Sequence, residues 1–296
     1  MKCRCRAAAD DEEQVLCSRQ TRCGEDKKEA EMAEIGFIGM GNMGTAMIRG
    51  LLSHGFSAED LLFTDADKEK GKRMERELKV PFAGSNRECA GKVKYLVLAV
   101  KPQYYASVLE EIRPEIRKEQ IVISIAPGKS VEMVAQKLGG QVRVVRAMPN
   151  TPALLGEGMT GVCFDEQVFS QEEKEMICRF FTSFGKMERV EERLMDAVVC
   201  ASGSSPAYVY MFIEALADSA VKCGLPRDKA YTMVAQTVLG SAKMVLETGK
   251  HPGELKDMVC SPGGTTIAAV EALEEYGLRN ALMKATDACY GRCQSV

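Results

Sequence analysis

From residue 34 onward, short apolar runs alternate with charged stretches whose apolar positions recur at a spacing closer to 3.6 than to 2. The runs predict strands over 35–38, 61–64, 80–83, 95–100, 121–125, 142–147, 161–164 and 187–190, with helical stretches such as 45–53, 67–78 and 170–184 between them. Alternation of this kind predicts a mostly parallel sheet with helices on both faces and a ligand crevice at the carboxyl ends of its strands. After residue 191 the pattern changes. Helical spacing runs through 194–200, 206–223, 227–248, 265–276 and 278–293 with no convincing strand between, and Pro206, Pro226 and Pro252 stand where helix starts are expected. The stretch 208–221 is apolar nearly all round, with Val209, Phe212, Ile213, Leu216, Ala217 and Ala220, so other helices must surround it. The helices of 191–296 therefore predict an oligomer interface, with packing inside one protomer as the alternative.

Directly after the first predicted strand comes Gly39-Met40-Gly41-Asn42-Met43-Gly44, followed by a helical stretch. In a dinucleotide fingerprint the first glycine permits the tight turn, the second lets the backbone approach the pyrophosphate, and the third allows close helix packing. The phosphates then face amides at the helix N-terminus. The second predicted strand ends in Thr64-Asp65, twenty-one residues past Gly44, which is the context the fingerprint requires. The reading is a Rossmann-type doubly wound α/β domain over 33–190 that binds a nicotinamide or flavin nucleotide, followed by an all-helical domain over 191–296. An acidic group at Asp65 normally accepts ribose hydroxyls and repels a 2'-phosphate, but Lys68, Lys70, Lys72 and Arg73 lie close enough in sequence to offset it. The choice between NADH and NADPH stays open.

A second constellation lies at Leu255-Lys256-Asp257-Met258-Val259-Cys260-Ser261-Pro262-Gly263-Gly264-Thr265-Thr266. Free amides of Gly264, Thr265 and Thr266 at a helix N-terminus make a site for a carboxylate, and the Thr266 hydroxyl can address another polar atom of the same ligand. An ordinary N-cap after a Pro-Gly turn explains the same residues equally well.

Composition narrows the classes. The 296 residues, 46% hydrophobic and 27% charged, suit about two soluble globular domains. With 39 basic and 42 acidic residues, nothing points to nucleic acid or an anionic membrane, and no apolar run of about 18 residues suggests a membrane span. Residues 1–32 carry seven basic and eight acidic side chains with little apolar periodicity, so they read as a disordered extension. They have neither the apolar stretch of a signal peptide nor the acid-poor composition of a mitochondrial presequence, and Met32 stands where a shorter chain would start. Four of the twelve cysteines (Cys3, Cys5, Cys17, Cys23) fall there without the close pairs of a zinc site, so no metal is expected. The other eight are scattered singly, as reduced thiols of a cytoplasmic protein would be, and Cys260 alone borders the second constellation. No His-Asp-Ser set is present; His54 and His251 lie in poor contexts for catalysis.

The blocks Gly39 to Gly44, Ala99-Val100-Lys101-Pro102-Gln103, Met148-Pro149-Asn150-Thr151-Pro152, Ser202-Gly203-Ser204-Ser205-Pro206-Ala207-Tyr208, Gly224-Leu225-Pro226 and Leu255 to Thr266 resemble, in this order, the pyrroline-5-carboxylate reductase family. The resemblance covers about 33–293 and implies reduction of the cyclic imine 1-pyrroline-5-carboxylate to L-proline with NADPH or NADH. It implies that Ile38, Gly39, Met40, Gly41, Asn42 and Met43 follow the pyrophosphate. Asn86, Ala99, Val100, Lys101 and Pro102 would line the nucleotide, and Ile125, Ala126 and Pro127 with Asn150 would approach the nicotinamide. Thr266 would hydrogen-bond the ring nitrogen, the amides of Gly264 and Thr265 would hold the carboxylate, and Ser261 and Gly263 would shape the loop. Family members often carry Ser or Asn where Asp65 stands; Glu192 and Met258 align with positions near the cofactor, where Met258 replaces a commoner Asn. The resemblance also implies an intertwined homodimer assembling to a decamer. A β-hydroxyacid dehydrogenase can open with a similar strand and glycine turn, but needs a helical Lys with an Asn four residues on, whereas Lys243 is followed by Met244-Val245-Leu246-Glu247. A non-catalytic nucleotide-binding module would not need the Ser261 to Thr266 loop.

Overall fold

The computed structural model describes residues 33–294. Seven strands, β1 (Ala33–Ile38), β2 (Leu61–Thr64), β3 (Val93–Leu98), β4 (Ile121–Ser124), β5 (Arg143–Met148), β6 (Gly158–Cys163) and β7 (Gly185–Arg189), form one sheet in the order β2-β1-β3-β4-β5-β6-β7. All neighbours are parallel except β5 and β6. Alternate residues of the central strands feed opposite faces, so both are buried. On one face Phe37, Val97, Ile123 and Val145 pack with Met47 and Leu51 of α1 (Asn42–Ser53), and the same cluster holds Met74 of α2 (Lys68–Leu78). Phe180 and Phe181 of a later helix on this face meet edge to face with ring centroids 4.9 Å apart, and the Phe180 ring lies 6.2 Å from that of Phe37. On the other face Ile38, Leu98, Val122 and Val144 pack against α3 (Asn86–Gly91), α4 (Tyr105–Ile112) and α5 (Val131–Lys137). The helix carrying the phenylalanines is α6 (Gln171–Thr182), which opens with a capping box between Ser170 and Glu173.

The predicted strand at 80–83 is not one. Pro81 has no N–H to give a ladder, and the segment contributes a single bridge, Phe63 to Phe82, on the outer side of β2. The strand predicted to run to Val100 stops at Leu98, ahead of Lys101-Pro102.

Beyond Arg189 only helices follow among the described residues: α7 (Met195–Val198), α8 (Ser205–Lys222), α9 (Arg227–Thr248), α10 (Pro252–Val259), α11 (Thr265–Glu275) and α12 (Leu278–Cys293). The helix predicted at 194–200 is interrupted, since α7 runs into a π-helical turn at Val199–Gly203 closed by the Ser204 amide on the Val199 carbonyl at 2.8 Å. These helices bury little in one copy of the chain. Ala217, Ala230 and Val234 form a small core, whereas Tyr210, Met211, Phe212, Met233, Leu246 and Met283 are exposed. None of the described helices is long and apolar enough to cross a membrane. Residues 1–32, read as a disordered extension with Cys3, Cys5, Cys17 and Cys23, lie outside the described residues.

Two strand ends are braced by Tyr105. Its buried hydroxyl donates to the Leu98 carbonyl at 2.9 Å and lies 3.1 Å from Ser124 Oγ, so it ties the ends of β3 and β4 together. Burial pushes its pKa up to about 12, which keeps it a neutral donor. Replacing Tyr105 by Phe leaves the Leu98 carbonyl without that partner and is expected to cost about 1–2 kcal/mol of stability in urea unfolding; an unchanged midpoint would remove Tyr105 as a brace.

Candidate active site

The glycine turn after β1 is shaped by close approach. Gly39 has φ +98°, and a Cβ there would come within 2.9 Å of the Ala99 carbonyl oxygen. Its amide donates to Thr64 on β2 at 2.9 Å, and the Ala99 amide donates to Ile38 at 2.9 Å, so the turn is pinned between the ends of three strands. Gly44 lies where a Cβ would sit 2.3 Å from the Gly39 carbonyl oxygen, which sets how near α1 stands to the turn. Gly41 is different: a Cβ there would meet no atom within 4 Å. A side chain at Gly41 would enter open space over the helix start, where a bound group must come close to the backbone.

Helix α1 opens on Gly41 in extended conformation, with no side-chain cap and no acidic residue in its first turn. The neighbouring helices α2, α3, α5 and α6 each begin on an Asp or Ser that accepts a backbone amide. The first amides of α1 thus keep their hydrogen-bonding capacity for an anion, and the residues fit the pyrophosphate of a dinucleotide. Met40 is buried beneath the turn, and Asn42 is exposed at its mouth with Met43 half-buried behind it.

Other residues expected around the nucleotide gather at the same carboxyl edge of the parallel strands. Ala99, Val100 and Pro102 are half-buried beyond β3 with Lys101 exposed among them; Ile125, Ala126 and Pro127 follow β4; Asn150 follows β5. Two of the polar side chains are already engaged by the protein. Asn86 donates to Glu111 on α4 at 2.7 Å. Asn150 donates to the Ser202 carbonyl in the π-helical turn at 3.0 Å and accepts from the Met159 amide at 2.9 Å. Both termini of its amide are used to clamp β5, β6 and the helical half together.

Asp65 is engaged as well. Oδ1 accepts from the Asp67 amide at 2.9 Å, Oδ2 accepts from the Met40 amide at 2.8 Å, and the Lys70 ammonium lies 3.3 Å from Oδ2. Burial by itself raises this carboxyl's pKa, but the two amides and Lys70 outweigh it and hold the group below the usual aspartate value.

The second constellation forms the turn between α10 and α11. Gly263 has φ +65°, and the Gly264 amide donates back to the Ser261 carbonyl at 3.0 Å. That bond uses the Gly264 amide expected to hold a carboxylate, which leaves the amides of Thr265 and Thr266 at the helix start. A Cβ on Gly264 would fall 2.4 Å from Ser261 Oγ, so the loop closes over a glycine. Helix α11 has no side-chain cap and no acid in its first turn, and its Gly264 N-cap (φ −80°, ψ 171°) nearly repeats the conformation of Gly41 (φ −72°, ψ −168°). Thr266 is half-buried, Thr265 and Ser261 are exposed, and Cys260 beside them is a free, half-buried thiol. Met258 is exposed on α10.

Sequence reasoning passed over Arg146. It lies inside β5 with its side chain 8% exposed, and its guanidinium meets Glu192 and Asp196, each at 3.4 Å. Glu192 also accepts the Val131 amide at 2.7 Å, so its carboxylate joins β5, α5 and the start of the helical half. A charged residue in the apolar run 142–147 was the available signal.

Residues 192–296 match the family described as pyrroline-5-carboxylate reductase dimerisation, and residues 34–128 match that described as NADP oxidoreductase coenzyme F420-dependent. The chain is 44% identical to pyrroline-5-carboxylate reductase of Escherichia coli (strain K12) over 89% of its own length and 98% of that protein. Among solved structures, a pyrroline-5-carboxylate reductase from Coxiella burnetii superposes with a TM-score of 0.81 at 34% identity, covering 89% of this chain and 98% of that one. Pyrroline carboxylate reductase from Plasmodium falciparum, solved with NADP bound, gives 0.81 at 32% identity, covering 90% and 98%. With 44% identity to one such reductase and a TM-score of 0.81 to another, each over nearly the whole of both chains, the chain belongs to the pyrroline-5-carboxylate reductase family.

Proposed function

We infer that this protein reduces the cyclic imine 1-pyrroline-5-carboxylate to L-proline with NADPH or NADH. The observation that carries the reading is the pair of glycine-started, uncapped helices, α1 and α11, within a chain of this family. One offers its free amides to a pyrophosphate and the other to a carboxylate. When bound, the reduced nicotinamide supplies the hydride that the imine carbon accepts.

The protein's part is positioning. The Thr265 and Thr266 amides hold the substrate carboxylate, and the Thr266 hydroxyl hydrogen-bonds the ring nitrogen. Two fixed points on a small ring determine which face meets the hydride. A protonated ring nitrogen makes the carbon a better electrophile; the Thr266 hydroxyl is too weak an acid to supply that proton and serves to orient the nitrogen. Ser261 and Gly263 keep the turn in shape. On the nucleotide side, Ile38, Gly39, Met40, Gly41, Asn42, Met43 and Gly44 follow the pyrophosphate, while Ala99, Val100, Lys101 and Pro102 border the nucleotide. Ile125, Ala126 and Pro127 flank the nicotinamide. Asn86 and Asn150, with side-chain bonds of their own, and Asp65 serve by holding the strand ends around the nucleotide.

The domain reading places nucleotide binding in 33–190 and substrate binding with self-association in 191–296. Helices α8, α9 and α12 leave Tyr210, Met211, Phe212, Met233, Leu246 and Met283 exposed, and a second copy covers them. The homodimer then assembles further, to a decamer. Single, unbridged cysteines at the eight described positions fit a cytoplasmic setting.

Three measurements test these assignments. Mixing the protein with 1-pyrroline-5-carboxylate and either reduced nucleotide is expected to oxidise the nucleotide and form proline, and Thr266→Ala is expected to lower kcat by roughly tenfold or more with nucleotide Kd nearly unchanged. Absence of imine turnover by protein that binds nucleotide would defeat the main reading, and an unchanged kcat would remove Thr266. The Cβ of Gly41→Val meets no protein atom within 4 Å, so its Tm should stay near that of the parent while nucleotide affinity falls by roughly a hundredfold, about 2.7 kcal/mol; retained affinity would show that nothing approaches the backbone there. In sedimentation velocity at micromolar concentration the chain should run as a dimer or a multiple of one, and a monomer would leave its apolar helices unexplained.

A further inference from the structure

We propose that Lys70 admits a nucleotide bearing a 2'-phosphate by cancelling the charge of Asp65, and so sets the cofactor choice of this chain. The proposal rests on the nucleotide reading given above. Asp65 follows the end of β2, where a Rossmann sheet presents a group to the adenosine ribose. A free carboxylate in that place accepts the ribose hydroxyls and repels a phosphate dianion. Here it is not free. Its two oxygens are taken by the amides of Met40 and Asp67, and Lys70 bridges it to the glycine turn by donating to the Met40 carbonyl while lying 3.3 Å from Oδ2.

The backbone fixes Lys70 for this position. Asp67 caps α2 and accepts the Lys70 amide at 3.0 Å, so the lysine leaves the first helical turn directly beside the strand end. Among the neighbouring cations, the Lys68 ammonium donates to the Gly84 carbonyl, Lys72 lies 3.6 Å from Glu69, and Arg73 is exposed on α2, while Lys70 is the one seen on Asp65 among the described residues. Within the Asp65–Lys70 pair the lysine side chain is 30% exposed and the aspartate 13%. The lysine is thus the more exposed partner of the pair. The carboxylate serves as a strut for the turn, and the specificity that its sequence position suggests is overridden by a residue five positions on.

The test is equilibrium binding of NADPH and NADH, read from the fluorescence of the reduced nicotinamide, to the full chain and to two variants. Lys70→Met uncovers the Asp65 charge, and its Kd for NADPH is expected to rise roughly tenfold or more while that for NADH changes by less than about threefold, the difference being one like charge partly screened by solvent. Adding Asp65→Asn to Lys70→Met removes the uncovered charge at the cost of one amide acceptor of the strut, so the ratio of the NADPH and NADH affinities, rather than either affinity alone, is expected to return to within about threefold of the parent's. NADH binding reports in each case that the variant is folded. Equal losses for the two nucleotides in Lys70→Met would make Lys70 a brace of the turn and overturn the proposal, as would a shifted ratio that the second substitution does not correct. A parent chain that binds neither nucleotide would overturn the nucleotide reading itself, a result separate from any difference between the variants.

Discussion

The arrangement depends on one contact, the approach of Gly44 to the carbonyl of Gly39 at the mouth of the sheet. The contact leaves no room for a Cβ, so α1 begins as close to the strand end as two backbones permit. Because the Gly39 turn is also hydrogen-bonded to β2 and to the residue after β3 lies beneath it, the helix start is placed relative to three strands at once. A helix start with free amides, of the kind that suits a diphosphate, follows from packing, with no side-chain cap and no acidic residue in its first turn. The rigidity comes from the apolar layers on both faces, where Phe37 and Val97 fill one side and Ile38 and Leu98 the other.

Much of this was legible in the chain because parallel strands buried on both faces are short continuous apolar runs with little ambiguity. Seven of the eight predicted strands exist, and the glycine spacing located the crevice. The segment 80–83 misled because Val80, Phe82 and Ala83 are apolar for packing reasons while Pro81 cannot join a ladder. The polar site residues were less legible. Spacing pointed to Asp65, and the family resemblance to Asn86 and Asn150, as nucleotide-side residues, but neither carried information on which partners would claim their hydrogen bonds. Asn150 is spent on Ser202 and Met159, and those partners are far from it in sequence in one case and on another strand in the other. The interior charge of Arg146 has the same character, since its meaning depends on Glu192 and Asp196, which only the fold brings to it.

The sheet and the helical half are thus joined through polar contacts concentrated at β5 and the residues following it. Asn150 and Arg146 lie on either side of Met148, and a Cβ at Gly203 would come within 2.6 Å of the Met148 side chain. Glycine at 203 lets the chain leave the sheet close to the end of β5. Hydrogen bonds fix direction where apolar packing alone would tolerate sliding, and this junction is where direction matters most.

The π-helical turn at Val199–Gly203 adds a consequence of its own. An α-helix advances about 100° and 1.5 Å for each residue, so the wider turn acts as a phase setting for everything after it. Helix α8 starts two residues later, at Ser205, and the azimuth of its apolar surface about its own axis is inherited from that wider turn. A chain shorter by one residue there would keep the same helices and the same sheet, yet turn Phe212 and its neighbours roughly a quarter of the way around the barrel of the helix. The geometry of self-association is in this sense encoded in the length of a single turn.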